Sequence, residues 1–187
     1  MKTQLAGMKV AILVTDGFEQ IELTSPKEAL EKAGATTTIV SLKKGRVQGW
    51  HHDDKADTFE VDLLVADASA EDFDGLLLPG GVKNPDTLRT DTKAVAFVKA
   101  FFDSNKSVAA ICHGPWVLVE ADVLRGRTVT SWPSIRTDLK NAGAMVLDQE
   151  VVVDKGLVTS RKPDDLLAFN AKMVEELGEQ KARRRAA

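Results

Sequence analysis

The sequence predicts an α/β protein in which a mainly parallel β-sheet lies between helices packed on both of its faces. Two observations carry this prediction. Short apolar runs alternate with helical segments along the chain, and several runs are apolar at every position, as in strands buried on both faces. No internal repeat or linker interrupts the alternation. We therefore expect one domain over residues 1–187, with a frayed basic tail from about residue 178 onward.

The predicted elements follow one another in a regular order. The first strand covers residues 9–15, and the first helix begins with Ser25 as N-cap and Pro26 at its first position, and ends before Gly34. The polar residues 45–60 form a hairpin or an excursion. Later strands are expected at residues 36–42, 61–65, 75–78, 108–111, 127–130, 151–154 and 157–160. Later helices are expected at about residues 91–104, 116–121, 135–142 and 165–177.

Composition and charge exclude several classes of protein. Hydrophobic residues make up 43% and charged residues 28% of the chain, which is typical of globular proteins. The net charge is −3, and the basic tail offsets a more acidic body that would repel nucleic acid. No apolar run reaches the ~18 residues of a membrane span, and the first residues lack a signal-peptide core. A single cysteine suits a reducing compartment. We expect a cytoplasmic protein that contacts no membrane.

Three strand ends carry residues suited to chemistry. Glu19 follows the first strand, Gly80 and Gly81 follow residues 75–78, and Cys112 and His113 follow residues 108–111. In an open parallel sheet, ligands bind beyond the carboxyl ends of the strands. Neighbouring strands would bring these residues together, so the sequence predicts a site at this edge.

Cys112 has the sequence context of a nucleophile elbow, since an apolar strand precedes it and Gly-Pro opens an apolar helix after it. A lone cysteine is more often a buried structural thiol. Here, however, the turn exposes the side chain and the helix N-terminus favours negative charge, so we expect a lowered thiol pKa. His113 is then a candidate general base. Gly80 and Gly81 form a tight turn that could also direct N–H groups toward an oxyanion.

No metal or other cofactor is expected. His51 and His52 lie in a polar segment beside Asp53 and Asp54, and this segment offers too few ligands for a metal site, so a solvated loop is the favoured interpretation. The phosphate-binding patterns GxGxxG and GxxxxGK[ST] are missing from the sequence, which argues against nucleotide binding.

The separate motifs AICHGP, LLLPGG and DGFEQIEL together resemble the PfpI-type branch of the ThiJ/PfpI superfamily. The match spans nearly the whole chain and includes VLRGRTVTSWPSIRTDLKNAGA and EVVVDKGLVTSRKPDDL. The resemblance implies a flavodoxin-like α/β sandwich related to class I glutamine amidotransferase domains. It also implies a homo-oligomer, either a dimer or a hexamer built from dimers.

The resemblance further implies roles for individual residues. Cys112 matches the elbow nucleophile, His113 the histidine that follows it, and Glu19 the acid that hydrogen-bonds the cysteine. Gly81 and His113 match positions whose backbone amides form the oxyanion hole. Asp86 lies where this branch has an acidic residue that completes a triad across the subunit interface. Some members have Glu there, after a loop of different length, so the shorter Asp side chain reaches less far.

Three functions are compatible with these motifs. The leading hypothesis is a cofactor-free cysteine hydrolase or lyase of stress defence, similar to deglycases and glyoxalases, that acts on methylglyoxal, glyoxal or their early adducts. The first alternative is an intracellular cysteine peptidase, and the second is a non-catalytic, redox-sensing stress chaperone. The expected partners are therefore small carbonyl compounds, glycated adducts or peptides, with nucleic acid only as a glycated substrate. No sequence feature separates the three.

Overall fold

Strands and helices alternate along the chain in the computed structural model, which describes residues 4–186 except for the side chain of Arg185. The strands are β1 (Lys9–Leu13), β2 (Phe18–Glu19), β3 (Thr36–Ser41), β4 (Arg46–His51), β5 (Asp54–Glu60), β6 (Leu63–Leu64), β7 (Gly75–Leu78), β8 (Ser107–Ile111), β9 (Thr128–Val129), β10 (Met145–Val146), β11 (Val151–Asp154) and β12 (Leu157–Ser160). The α-helices are α1 (Ile21–Lys32), α2 (Lys83–Leu88), α3 (Thr92–Asp103), α4 (Trp116–Glu120), α5 (Arg136–Asn141) and α6 (Leu166–Ala186).

A seven-stranded sheet forms the centre of the protein, in the order β11-β12-β8-β7-β1-β3-β6. Its neighbouring strands pair in parallel, except that β11 and β12 form an antiparallel hairpin. The carboxyl ends of β1, β7 and β8 therefore meet at one edge, as the sequence predicts. Beside that edge, β4 and β5 form a hairpin that pairs with β2.

Side chains of the central strands alternate between two hydrophobic cores. In β1, Val10 and Ile12 contact the core that contains residues of α1 and α6, whereas Ala11 and Leu13 contact the core that contains residues of α3 and α4. Because successive side chains of a strand point to opposite faces, a strand that is apolar at every position requires a helix layer on each face. The predicted fold class, a mainly parallel flavodoxin-like α/β sandwich, is confirmed.

The start of α1 differs from the prediction. The helix begins at Ile21 with Gln20 as N-cap, so Pro26 lies inside it rather than at its first position. Proline removes one backbone N–H, the one that would bond to the carbonyl of Glu22. The helix nevertheless continues through Pro26, because burial of Leu23, Pro26 and Leu30 holds this face of the helix on the sheet. This earlier start places Glu22 in the first helical turn.

The carboxyl-terminal segment also differs from the prediction of a frayed tail. Helix α6 continues to Ala186, and Ala187 lies outside the described residues. Gln180 is only 4% exposed, because its side-chain amide bonds to Ser107 Oγ and to the Asp74 carbonyl, both at 2.7 Å. Within residues 4–186, none of the helices has the length and hydrophobicity needed to cross a membrane.

Candidate active site

Cys112 sits on a sharp turn between β8 and α4. Its φ is +62°, in the left-handed region that a non-glycine residue rarely adopts. Two backbone hydrogen bonds hold this conformation: the Cys112 N–H donates to the Ser160 carbonyl and the Cys112 carbonyl accepts from the Trp132 N–H, both at 3.0 Å. The strained turn is thus fixed by two separate segments of the chain, which aims the thiol into a cavity at the sheet edge.

Glycine is required at position 80 by the close approach of two side chains. A Cβ atom there would lie 2.5 Å from Glu22 Oε2 and 2.7 Å from Cys112 Cβ. The Gly80 N–H donates to Glu22 Oε2 at 2.9 Å, so this amide is already engaged. The N–H groups of Gly81 and His113 instead hydrogen-bond the Cys112 sulfur. These two amides are therefore the candidate oxyanion donors, and Gly80 serves as a spacer.

The carboxyl group that contacts Cys112 belongs to Glu22. The prediction that Glu19 fills this role is wrong in this structure, because α1 starts a turn earlier than expected and its first turn carries Glu22 toward the elbow. Glu19 lies in β2 instead, where its Oε2 accepts the N–H of His52 at 3.0 Å. Both carboxyl groups line the same cavity, Glu22 beside the thiol and Glu19 beneath the β4–β5 hairpin.

Burial governs the protonation of the Glu22 and Cys112 pair. Glu22 is fully buried, which raises the pKa of its carboxyl to about 8. Burial also raises the pKa of the Cys112 thiol, Glu22 adds to this rise where its carboxyl is ionised, and the N–H groups of Gly81 and His113 offset it only in part. The expectation of a lowered thiol pKa is therefore wrong. At neutral pH the pair retains its protons, so the nucleophile must be generated by a base.

His113 is placed to be that base. Its Nδ1 lies 3.2 Å from Cys112 Sγ, its Nε2 lies 3.1 Å from Ser134 Oγ, and the Trp132 ring stacks on it at 5.7 Å between centroids. Burial lowers the pKa of His113, so the imidazole is neutral at neutral pH. If Nε2 carries the hydrogen and donates it to Ser134, then Nδ1 presents a lone pair to the thiol. The arrangement is that of a thiol and a general base.

Ser134 is a contact that sequence reasoning missed. It lies in a short 3₁₀ turn, Pro133–Ile135, just before α5. One signal could have found it, because the segment SWPS directly follows the strand predicted at residues 127–130, whose carboxyl end faces the same sheet edge.

Asp86 is exposed on α2 and does not line the cavity. Among the residues that the structure describes, the hydrogen-bond partners of the His113 ring are Cys112 and Ser134. Within one chain, Asp86 therefore does not complete a triad, and its predicted role across a subunit interface stays a prediction. The same described part of the chain holds no group of three or more His, Cys, Asp or Glu residues that could bind a metal ion.

The cavity has a volume of about 340 Å³, and Cys112, only 6% exposed, lies at its base. Its wall has two chemically different parts. The apolar part consists of Val82, Trp132 and Pro163. The polar part consists of Glu19, His52 and Asp53. A ligand that reaches the thiol therefore lies between an apolar and a polar wall.

Comparison with known proteins shows the family to which the chain belongs. The sequence profile of the DJ-1/PfpI family matches residues 8–176. The chain belongs to the DJ-1/PfpI family. The match covers every residue of the site described above, from Glu19 to Ser134, and it confirms the resemblance on which the sequence analysis relied.

Individual DJ-1/PfpI relatives match over nearly the whole chain. YraA of Bacillus subtilis (strain 168), named as a candidate cysteine protease, is 48% identical over 169 residues, which cover 90% of this chain and 98% of YraA. A ThiJ/PfpI domain protein from Brachyspira murdochii is 26% identical with a TM-score of 0.84, over 91% of this chain and 96% of that one.

A third relative is a two-domain protein from Anabaena variabilis ATCC 29413 with DJ-1/ThiJ/PfpI-like and ferritin-like domains. It is 37% identical with a TM-score of 0.86, and the match covers 91% of this chain. This chain spans only 48% of that two-domain protein, so the match concerns its DJ-1/ThiJ/PfpI-like fold and not its whole activity.

Proposed function

We propose that this DJ-1/PfpI protein is a cysteine-nucleophile enzyme that acts on methylglyoxal, glyoxal or their early adducts. The observation that carries the proposal is the 3.2 Å contact between Cys112 Sγ and His113 Nδ1 at the base of the cavity. A buried thiol, a neutral imidazole and two N–H groups are the parts that addition to a carbonyl carbon requires.

The first step follows from these contacts. Cys112 Sγ forms a bond to the carbonyl carbon, its proton passes to His113 Nδ1, and the carbonyl π electrons move to the oxygen. The N–H groups of Gly81 and His113 hydrogen-bond the sulfur, and in this proposal they stabilise the oxyanion that forms on the adjacent carbon. Return of the proton to that oxygen gives a neutral hemithioacetal. No external oxidant is needed for the overall conversion of methylglyoxal and water to lactate.

The depth of the thiol favours a small substrate. A peptide bond must reach Cys112 Sγ together with the chain on both of its sides, whereas the aldehyde end of a dicarbonyl enters a recess without a continuing chain. Cys112 is only 6% exposed, and Val82 and Trp132 line the cavity that leads to it. This geometry supports the small-carbonyl hypothesis over an extended polypeptide.

A cysteine peptidase is the second candidate. It is favoured by the name of the relative YraA and by a further cavity that adjoins the first. The chemistry begins with the same attack, after which the C–N bond breaks, the His113 imidazolium protonates the leaving amine and water hydrolyses the thioester. Both candidate functions use the same thiol and the same base. Only the substrate that the protein turns over can distinguish them.

A parallel assay of the purified protein tests the proposal. Wild-type protein, Cys112→Ser and the control Glu71→Gln are each incubated with methylglyoxal and, separately, with an unfolded polypeptide. Glu71 is exposed at the opposite edge of the sheet, so its replacement leaves the site intact. We expect conversion of methylglyoxal to lactate by the wild type and the control, and no conversion by Cys112→Ser.

Two results would contradict the proposal. Cleavage of the polypeptide at fixed positions that depends on Cys112, without methylglyoxal turnover, would favour the peptidase. Absence of both activities, with reversible oxidation of the Cys112 thiol, would favour the redox-sensing chaperone.

A further inference from the structure

We propose that the active-site cleft extends into a second pocket beneath the β4–β5 hairpin, and that this pocket and its acidic rim take a cationic group of the substrate. The substrate would be a carbonyl compound whose reacting carbon is joined by a short chain to an ammonium or guanidinium group. The inference rests on the proposed function only in taking Cys112 as the reacting group.

The second pocket adjoins the first. It has a volume of about 240 Å³ and shares Glu19, His52 and Pro163 with the cavity above Cys112. Its far wall is formed by Thr24 of α1 and Ala56 of β5. A molecule that places one end at the thiol can therefore pass Glu19 and place its other end under the hairpin.

The ridge between the two pockets is held by specific contacts. Glu19 Oε2 accepts the N–H of His52 at 3.0 Å, and His52 occupies the left-handed region with φ of +55°. The hairpin is further fixed to the start of α1, because the Gln20 amide donates to Asp57 Oδ2 at 2.8 Å and accepts the Asp57 N–H at 2.7 Å. The side-chain nitrogen and oxygen of Gln20 are thus both hydrogen-bonded, and these bonds hold the hairpin in place over the second pocket.

The walls of both pockets carry negative charge. This charge comes from Glu19 and Asp53, since the buried Glu22 keeps its proton at neutral pH, and none of the lining residues is Lys or Arg. Clefts lined by one sign of charge concentrate ligands of the opposite sign. A cationic group would therefore be drawn to the rim formed by Glu19 and Asp53, and an anionic group would be repelled from it.

A buried polar atom points independently to a ligand in this cleft. Glu22 is fully buried and lines the first pocket, yet in the described part of the chain its Oε1 has no hydrogen-bond partner. An unpaired buried polar atom is costly, and few exist in folded proteins. A polar group of the bound substrate would satisfy it. The cleft thus offers an unpaired polar atom beside the thiol and two carboxylates at its rim, which together suit a polar substrate with positive charge.

Charged thiol reagents can test the inference, because Cys112 is the only cysteine. Three methanethiosulfonates would be compared: the trimethylammonium-ethyl, the sulfonatoethyl and the methyl compound. Each transfers its thioalkyl group to the Cys112 sulfur with loss of methanesulfinate. Each rate is divided by the rate for a free thiol in solution. We expect the normalised rate to be at least about tenfold higher for the cationic than for the anionic reagent.

The double variant Glu19→Gln, Asp53→Asn should reduce this preference to about threefold or less. The matched control Glu71→Gln, Asp72→Asn removes two exposed charges at the opposite edge of the sheet and should keep the wild-type preference. Because Glu19 also holds the hairpin, Asp53→Asn alone serves as a second variant and should give an intermediate preference. An unchanged preference in both variants would overturn the inference, as would a wild type without any preference.

A variant that fills the second pocket tests separately whether a long ligand uses that pocket. Ala56→Phe would occupy the space under the hairpin while leaving the thiol cavity open. We expect this variant to slow a long cationic reagent, such as the aminohexyl compound, about tenfold and the methyl compound less than twofold. Equal effects on both reagents would contradict a second pocket. Since labelling needs no turnover, absence of methylglyoxal conversion with an intact charge preference would reject the proposed function and keep this inference.

Discussion

His113 contacts a different side chain at each ring nitrogen, and the contact away from the sulfur determines which tautomer can act as a base. Ser134 Oγ lies 3.1 Å from Nε2, and when Nε2 carries the hydrogen this hydroxyl accepts it, which leaves Nδ1 free to take the thiol proton. Ser134 is in this sense a positioning residue, since it acts on the substrate only through the imidazole.

We predict that Ser134→Ala lowers kcat/KM for the reaction that depends on Cys112 by about tenfold, with little change in stability. Loss of the acceptor allows the other tautomer and should also shift the pH dependence of kcat. Ser134→Thr, which keeps a hydroxyl, should restore most of the activity. The control Thr137→Ala, exposed on α5, should behave as wild type. A normal pH profile in Ser134→Ala would contradict this role.

Glu22 makes stability depend on pH in an unusual direction. Its pKa is about 8 in the folded protein against 4.5 as a free side chain. Between these values the unfolded chain releases a proton that the folded chain keeps, so this residue makes the fold less stable as pH rises from 4.5 to 8. Below pH 4.5 both states are protonated and the effect disappears.

We predict that Glu22→Gln removes this dependence. Relative to wild type, the free energy of unfolding of the variant should increase by about 3 kcal/mol between pH 5 and pH 8. Urea unfolding at both values measures the difference, with Glu71→Gln as a variant that should follow wild type. Parallel curves for wild type and Glu22→Gln would show that the carboxyl is ionised in the folded protein.

The same residues show what local sequence can predict. Cys112 and His113 could be identified because strand, elbow and helix are consecutive in the chain. Glu22 could not be identified, because choosing between Glu22 and Glu19 requires the start of α1 to be known to within one turn. The Ser25-Pro26 pair predicted that start at the wrong residue. Ser134 could not because its contact with His113 depends on tertiary packing between distant segments.

Among the elements, α6 is held near its end by a buried amide and by two of its basic side chains. Gln180 joins the helix to the amino-terminal ends of β7 and β8, through the Asp74 carbonyl and Ser107. Lys181 Nζ donates to the Ala6 carbonyl at 2.7 Å, and Arg184 pairs with Asp74 at 2.8 Å. Composition predicted a frayed tail because the partners of these residues lie far away in the sequence.

We predict that Gln180→Ala lowers the free energy of unfolding by about 2 kcal/mol, because the Ser107 N–H becomes a buried donor without a partner. The neighbouring exposed residue provides the control, and Glu179→Ala should change stability by less than about 0.5 kcal/mol. Chemical denaturation of both variants is sufficient. Equal free energies of unfolding for Gln180→Ala and Glu179→Ala would mean that the last turns of α6 do not stabilise the sheet.

Elements with complete local signals were predicted well. The strands at residues 75–78, 151–154 and 157–160 match the structure, because each is a short apolar or β-branched run between turn residues. Helix α2 was missed, since its residues, Lys83–Leu88, show no helical periodicity of apolar residues and Pro85 lies among them. Its position depends on tertiary contacts, among them the buried Asn84 side chain, which accepts the Thr15 N–H at 2.8 Å.

At the scale of the whole molecule, Asp86 remains a candidate for action on a neighbouring copy. We predict that Cys112→Ser and Asp86→Ala, each inactive alone, regain activity when mixed under conditions that allow subunit exchange. Hybrid oligomers would then contain sites with an intact cysteine and an intact carboxylate from the other copy. Native mass spectrometry confirms the exchange. Exchange without recovered activity would reject the role in trans, and full activity of Asp86→Ala alone would leave the Cys112 and His113 pair sufficient.

The position of β8 between β7 and β12 has a consequence during protein synthesis. The neighbours that cover Cys112, Trp132 and the segment ending at Ser160, are made after it. On the ribosome the chain therefore carries an uncovered cysteine at least until Ser160, 48 residues later, has been added, which takes roughly 2–10 s at typical elongation rates. The thiol that the finished fold buries is most open to oxidants in the nascent chain, before the fold is complete.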